Sequence, residues 1–182
     1  MMKAKFYGFF LTLLGVSVLT SCDKEDDIHW SDVPSAVVNS FEAKFPNASR
    51  AEWEKKGGYI VADFWQDGMD THVWYTSNGD WQMTEYDLGV NLTALPQAVQ
   101  DAFQGGQYST WRVDDIDKYE RPKDVFYLVE IEIKGEKDRD LYYAPDGTLL
   151  KDEVDRENTG VKPDMVFYHK KWMCRKAHPL FY

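Results

Sequence analysis

The chain has 182 residues, a net charge of −10, two cysteines and an aromatic content of 15%. Both ends are basic, with +2 over residues 1–21 and +4 over residues 161–182, so residues 22–160 carry a net charge of −16. A surface this acidic repels phosphate backbones, which argues against nucleic acid as a partner and is compatible with a cationic one.

The first segment, residues 1–21, is typical of a secretory signal peptide. Lys3 and Lys5 precede an apolar run that ends at Leu19, and this run is shorter than the ~20 residues that a spanning helix needs. The run leads into Leu-Thr-Ser-Cys, which is similar to the lipobox of bacterial lipoproteins. That similarity implies cleavage before Cys22 and a diacylglycerol on its thiol. The alternative is an ordinary secretory signal in which Cys22 is incidental.

Residues 22–30 form an acidic segment that we interpret as a flexible tether. Acidic residues directly after the lipidated cysteine are similar to the surface-export signals of Bacteroidetes lipoproteins, although a plain spacer has the same composition. Several acyl chains would hold the protein stably on a membrane. The sequence therefore predicts a cell-envelope protein, attached to the outer membrane through its lipid and either periplasmic or surface-exposed.

An internal repeat organises the rest of the chain. The pattern Val33-Pro-x-Ala-Val-x3-Phe recurs from Leu95 at an offset of 62 residues. A second pattern, an apolar residue followed by aromatic residues and then x3-Gly, begins at Val73 and recurs from Leu141 at an offset of 68. We predict two repeats, over residues 31–90 and 91–160.

Each repeat is predicted to contain a helix and four strands. Val37, Phe41 and Phe45 are spaced as one apolar face of a helix. The strands that follow are rich in β-branched and aromatic residues, and Asn78-Gly79 is typical of a hairpin turn. The predicted fold class is α+β, with a helix packed on a four-stranded antiparallel sheet, made twice. Units of roughly 60 residues are marginal alone, so we expect them to pack together or to join their sheets.

These motifs resemble those of the PepSY-like family, also described as beta-lactamase-inhibitor-like, which is common among exported lipoproteins of Bacteroidetes. The resemblance covers residues 30–157. It implies a BLIP-like α+β fold in tandem copies and a non-catalytic binding or inhibitory role, and it offers no catalytic residues to transfer. Residues 161–182 form a basic, aromatic tail outside the pattern. That tail is interpreted either as a docking segment on the acidic repeats or as a disordered end.

The candidates for catalysis or metal binding all have simpler interpretations. His72 with Asp70 would make a general base, but an exposed strand-end histidine is the simpler account. His169, Cys174 and His178 have zinc-ligand chemistry without a fourth ligand. The acidic clusters 114–117 and 152–155 lack the spacing of a calcium loop. The sequence therefore predicts a protein that is not an enzyme, with no catalytic residues, no metal and no cofactor.

The aromatic residues of the predicted hairpins are the candidate binding residues. Adjacent strand residues point to opposite faces, so one of each aromatic pair is expected on an open sheet face unless the other repeat or the tail covers it. Exposed aromatic rings are good anchors for a protein or a glycan. The predicted anchors are Trp65, Trp74, Trp81 and Tyr142. The leading hypothesis is a protein that binds a protein or peptide, with inhibition of an exported enzyme as one form of that binding; the alternative is a glycan-associated surface protein.

Overall fold

A computed structural model describes residues 26–48, 50–155 and 160–167. Within these ranges the chain forms two α-helices, α1 (Ser35–Lys44) and α2 (Gln97–Gln104). It also forms nine strands: β1 (Asp26–Asp27), β2 (Glu52–Lys56), β3 (Tyr59–Gln66), β4 (Met69–Tyr75), β5 (Trp81–Asp87), β6 (Arg112–Glu120), β7 (Val125–Glu132), β8 (Arg139–Tyr143) and β9 (Leu149–Val154). Short 3-10 turns precede both helices.

All nine strands belong to one antiparallel sheet whose spatial order follows the sequence. Consecutive strands pair directly, and most are joined by short turns, whereas α1 lies in the connection from β1 to β2 and α2 in the connection from β5 to β6. At the centre, β5 pairs with β6, with Thr84 opposite Glu120 and Asp87 opposite Asp117. The two halves of the chain are therefore joined edge to edge, which is one of the two arrangements that the sequence predicted.

Helix α1 packs on one face of the first half of the sheet. Val37, Phe41 and Phe45 are buried there, which confirms the apolar face predicted for this helix. The Phe41 ring lies 5.3 Å from the ring of Trp53 and 5.0 Å from that of Phe64, both in edge-on contacts. Aromatic pairs at these distances are stabilising beyond the area that they bury.

Helix α2 packs in the same way on the second half, with Val99 and Phe103 buried against strands β6 to β8. In each half a hairpin glycine approaches the helix closely. A Cβ built on Gly79 would stand 2.5 Å from the carbonyl oxygen of Ala36, and one built on Gly147 would overlap that of Ala98. Since both glycines have φ above +80°, backbone conformation and lack of space both favour glycine there.

The sheet face opposite the helices, which we call the second face, has its own apolar cluster. It consists of Val61, Trp74, Met83, Tyr119, Phe126, Leu128, Tyr142 and Val161. Trp74 is 4% exposed and Tyr142 is 1% exposed. Of the two alternatives that the sequence left open, an open face or a covered one, the structure shows the covered one for these two rings, because neighbouring strands and residues 161–167 of the tail pack against them.

One arginine fastens the described part of the tail. The Arg121 guanidinium donates hydrogen bonds to the carbonyl oxygens of Pro163 and Met165, and its fork binds both carboxylate oxygens of Asp124. It also lies over the rings of Phe126 and Phe167. These contacts hold residues 163–167 against the second face.

Within the described residues, neither helix is long and apolar enough to cross a membrane. Several residues singled out in the sequence lie outside the described ranges. They are Cys22, most of the acidic tether, His169, Cys174 and His178.

Candidate functional site

The second face contains a cavity of about 430 Å³ beside the apolar cluster, which we call the acidic cavity. Eight of its lining residues carry carboxylates: Asp70, Glu85, Asp87, Asp115, Asp117, Glu130, Asp140 and Asp155. Among the described lining residues, His72 is the one basic side chain. The cavity is therefore strongly negative.

Strand periodicity places these carboxylates on one face. On β6, Asp115, Asp117 and Tyr119 alternate with Ile116, which is buried under α2. The register aligns Asp115 with Glu130 on β7, and Glu130 with Asp140 on β8. Like charges directly opposite each other on neighbouring strands destabilise a sheet. The fold thus contains a row of acidic side chains that an ordinary sheet surface would avoid.

Two of these carboxylates are buried. Asp117 is 7% exposed, and its Oδ2 accepts a hydrogen bond of 3.3 Å from the Tyr119 hydroxyl. Asp140 is 6% exposed, and its buried Oδ1 has no hydrogen-bond partner among the described residues. An unsatisfied buried acceptor costs about 1–3 kcal/mol, and more when it is charged. A hydrogen-bond donor placed next to Asp140 Oδ1 would therefore remove this cost.

Burial and mutual repulsion raise the pKa values of these acids. Burial, followed by the charge of Glu85, raises the pKa of Asp117 to about 9. Burial, followed by the charge of Asp140, raises the pKa of Glu130 to about 7. The pKa of Asp140 is raised to about 6, again mainly by burial. At neutral pH the cavity therefore retains protons that exposed carboxyl groups would have released.

His72 lies at the edge of the acidic cavity, within β4 rather than at a strand end. Its Nε2 is 3.5 Å from Asp63 Oδ2, and its Nδ1 is 3.7 Å from Glu85 Oε1. Interaction with Glu85 raises the pKa of His72 to about 9. Burial acts in the opposite direction and lowers this pKa, but its effect is smaller than that of Glu85. A histidine that is protonated at neutral pH has no free lone pair, so the raised pKa of His72 does not favour the general-base role considered with Asp70.

The structure brings together two sets of side chains with metal-ligand chemistry. They are Asp63 with Asp70 and His72, and Asp87 with Asp115 and Asp117; the ligand atoms within each set lie within 4.8 Å of one another. The sequence singled out Asp70 and His72 of the first set as a possible acid–base pair, but neither set was predicted as a metal site. Strand pairing was the signal that could have revealed them, because Asp87 lies opposite Asp117 in the sheet.

The four predicted aromatic anchors occupy different environments. Trp65 is 64% exposed, whereas Trp81 is half-buried against the α1 core with the Lys44 ammonium 4.0 Å from its ring centre. The Trp81 indole N–H also donates to Thr84 Oγ1 at 2.9 Å. Trp74 and Tyr142 are buried in the second-face cluster, and Tyr142 lines the acidic cavity. The sheet therefore does not bring the four rings together as one exposed surface.

A family model matches residues 19–59 and 57–151, and its description is beta-lactamase-inhibitor-like, PepSY-like. The chain belongs to this PepSY-like family. The resemblance inferred from the sequence motifs is thereby confirmed. No functionally curated protein matches the chain.

Solved structures from Bacteroides share the fold. A BLIP-like protein from Bacteroides fragilis is 36% identical, with 69% of this chain and 90% of that one covered at a TM-score of 0.63. A DUF2874 family protein from Bacteroides ovatus is 32% identical, with 66% and 86% covered at a TM-score of 0.64. A proposed periplasmic protein from Bacteroides eggerthii is 25% identical, with 67% and 88% covered at a TM-score of 0.64.

Three conclusions follow for the PepSY-like chain. Its fold is BLIP-like, an antiparallel sheet with two helices. Its family is typically non-catalytic, which suggests a binding protein. Its relatives include a protein described as periplasmic, which is consistent with a place in the cell envelope.

Proposed function

We propose that this chain is a non-catalytic envelope lipoprotein that binds a protein or peptide through the acidic cavity of its second face. The observation that carries the proposal is the concentration of eight carboxylates around one cavity in which His72 is the one basic lining residue described. Cavities of roughly 300–1,000 Å³ are typical ligand sites, and this one lies within that range.

Charge indicates the kind of partner. Complementary charge accelerates association and disfavours partners of the wrong sign, so an acidic cavity selects a basic segment. Inhibition of an exported enzyme is one form that such binding would take. The glycan alternative has less support, because Trp74 and Tyr142 are buried and Trp65 is the one largely exposed ring among the four predicted anchors.

Binding of a fluorescently labelled lysine-rich peptide tests this proposal. We expect saturable binding that weakens about tenfold or more between 20 and 300 mM salt, because charge supplies much of the attraction. Glu85→Gln should weaken binding, since Glu85 lines the cavity. Glu42→Gln, an equal change of charge on the exposed side of α1, is the matched control and should leave binding unchanged. Equal binding by all three proteins would refute the proposal.

We further propose that the protein is attached to the outer membrane through a lipid on Cys22, by way of the tether formed by residues 22–30. The lipobox-like sequence before Cys22 supports this attachment. Labelled palmitate should enter the wild-type chain and not a Cys22→Ser variant. Equal labelling of both would show that the thiol is not the attachment point.

We also propose that residues 31–90 and 91–160 are two copies of one unit. The recurring helix motif supports this, and so does the matching approach of Gly79 to Ala36 and of Gly147 to Ala98. Exchanging the hairpin turns 76–80 and 144–148 between the halves tests the equivalence. We expect the exchanged chain to fold with nearly unchanged stability, whereas unrelated halves would lose stability.

A further inference from the structure

The carboxylates of the acidic cavity are too widely spread for one small ion. Asp115, Glu130 and Asp140 occupy one row across strands β6, β7 and β8. Neighbouring strands lie about 4.8 Å apart, so the row spans about 10 Å. A calcium ion binds oxygens at roughly 2.3–2.6 Å, and its ligands therefore lie within about 5 Å of one another. An ion held by Asp87, Asp115 and Asp117 would not neutralise the negative charge of Asp140, at the far end of the row.

Asp140 marks that far end, and it has no donor of its own. Its Oδ1 is buried without a hydrogen-bond partner among the described residues. The two basic side chains whose charges lower the pKa of Asp140 form their ion pairs with other carboxylates: Arg139 pairs with Asp152, and Lys151 pairs with Glu153. The unpartnered oxygen thus indicates a site for a donor that the described chain does not supply.

An apolar strip lies along the same cavity. Leu128 is opposite Asp117 on one side and Tyr142 on the other, and it lines the cavity together with Tyr119 and Val161. Aliphatic methylene groups would bury apolar surface against this strip at roughly 25 cal/mol per Å². The lining therefore combines carboxylates spread over about 10 Å with a surface that suits hydrocarbon.

We propose that the acidic cavity binds an aliphatic chain bearing two positively charged nitrogen groups, one between Asp115 and Asp117 and the other at Asp140. This inference rests on the proposed function and specifies the chemistry of its ligand. Two neighbouring basic side chains of a peptide present such groups, and so does a free aliphatic diamine or polyamine. The methylene groups of the ligand lie along Leu128, and its two cationic ends neutralise carboxylates at the two ends of the acidic row.

Calorimetric titration of the full-length mature protein at pH 7.5 and low salt tests the inference. The probes are 1,5-diaminopentane, spermidine, an acetylated Lys-Gly-Lys amide, calcium chloride and 1,5-pentanediol. The diol has the same carbon chain without charge and should not bind. We expect the amines or the peptide to bind at least tenfold more tightly than calcium.

Variants locate the site. Asp140→Asn should weaken binding of the dicationic probes at least fivefold, while Glu42→Gln, on the helix side, leaves it unchanged. A circular dichroism spectrum and melting curve establish that each variant is folded. Asp115→Asn provides a second test at the other end of the row if Asp140→Asn does not fold.

The outcomes separate the inference from the proposed function. Amine binding without peptide binding upholds the cavity chemistry and overturns the proposal of a protein partner. Peptide binding that Glu85→Gln weakens, but that Asp140→Asn and Asp115→Asn both leave unchanged, overturns the inference and upholds peptide binding in another part of the cavity. Binding of calcium alone, or of the diol as well as the diamine, also overturns the inference.

Discussion

Glu130 and Asp140 lie directly opposite each other on β7 and β8, so two carboxyl groups share one cross-strand pair. Burial, followed by the charge of Asp140, raises the pKa of Glu130 to about 7. Such a pair is unfavourable when both members are ionised. The stability of the protein should therefore depend on pH through this site.

We predict that the protein is more stable at pH 5.5 than at pH 8. Glu130 and Asp140 have folded-state pKa values of about 7 and 6, above their ordinary values of 4.5 and 3.8. The folded state therefore binds more protons in this interval, and stability falls as pH rises through it. The favourable interactions of His72 are complete below pH 6.5 and are lost as pH rises through about 9, which acts in the same direction. The melting temperature should fall by about 3–8 °C between pH 5.5 and 8.

The double variant Glu130→Gln, Asp140→Asn tests the origin of that pH dependence. Removing the repelling charges should raise the melting temperature at pH 8 and flatten the profile. Glu42→Gln should keep the wild-type slope, because its side chain is exposed on the helix side. If the melting temperature of the double variant depended on pH as steeply as that of the wild type, the pH dependence would have to come from other groups.

Gly147→Ala should lower the free energy of unfolding by about 2–4 kcal/mol. The new Cβ would overlap the carbonyl oxygen of Ala98, and the residue has φ of +83°. Gly68→Ala is the control, since Gly68 has the same φ and no atom within 4 Å of a built Cβ. Urea denaturation should show a cost of only about 1 kcal/mol for the control. Equal losses of unfolding free energy in the two variants would mean that the positive φ alone, and not the lack of space at Gly147, explains why glycine is favoured at both positions.

Phe41→Ala and Phe103→Ala should each lower the melting temperature of the whole protein. A buried Phe→Ala substitution costs about 3–5 kcal/mol, and the β5–β6 pairing links the two cores through one sheet. Differential scanning calorimetry should show one transition in both variants. A second transition in either variant would show that the halves unfold independently.

Arg121→Lys should release the described part of the tail. Lysine keeps the charge but not the planar fork that binds Asp124 and the carbonyl oxygens of residues 163 and 165. We expect amide hydrogens near Met165 to exchange at least tenfold faster, with those of β3 unchanged. Unchanged exchange at Met165 would indicate that the rings of Phe126 and Phe167 hold this segment without the arginine.

Local patterns predicted the helices and hairpins well. The spacing of Val37, Phe41 and Phe45 identified the buried face of α1, and Asn78-Gly79 marked a hairpin turn. These features depend on short stretches of chain, in which spacing and turn chemistry suffice. The joining of the two halves through β5 and β6 was one of two arrangements left open, because pairing of distant strands leaves little local trace.

The acidic cavity was not predicted, for a physical reason. Its carboxylates come from several strands, and each appears in the sequence as an ordinary solvated side chain. Alternation placed Trp74 and Tyr142 correctly on the face opposite their neighbours Tyr75 and Tyr143. It could not reveal that residues 161–167 pack on that face, since such packing depends on tertiary contacts.

Proton release on binding tests the central claim most directly. Cationic groups in the acidic cavity should stabilise ionised carboxylates, and so lower the raised pKa of Glu130 and Asp140. Titrating an acetylated Lys-Gly-Lys amide at pH 7 in two buffers of different ionisation enthalpy measures the protons exchanged. We predict net proton release by the wild type, and less by the Glu130→Gln, Asp140→Asn variant, which retains the raised pKa of Asp117 alone among these three acids. Binding without proton release, or equal release by both proteins, would contradict the account.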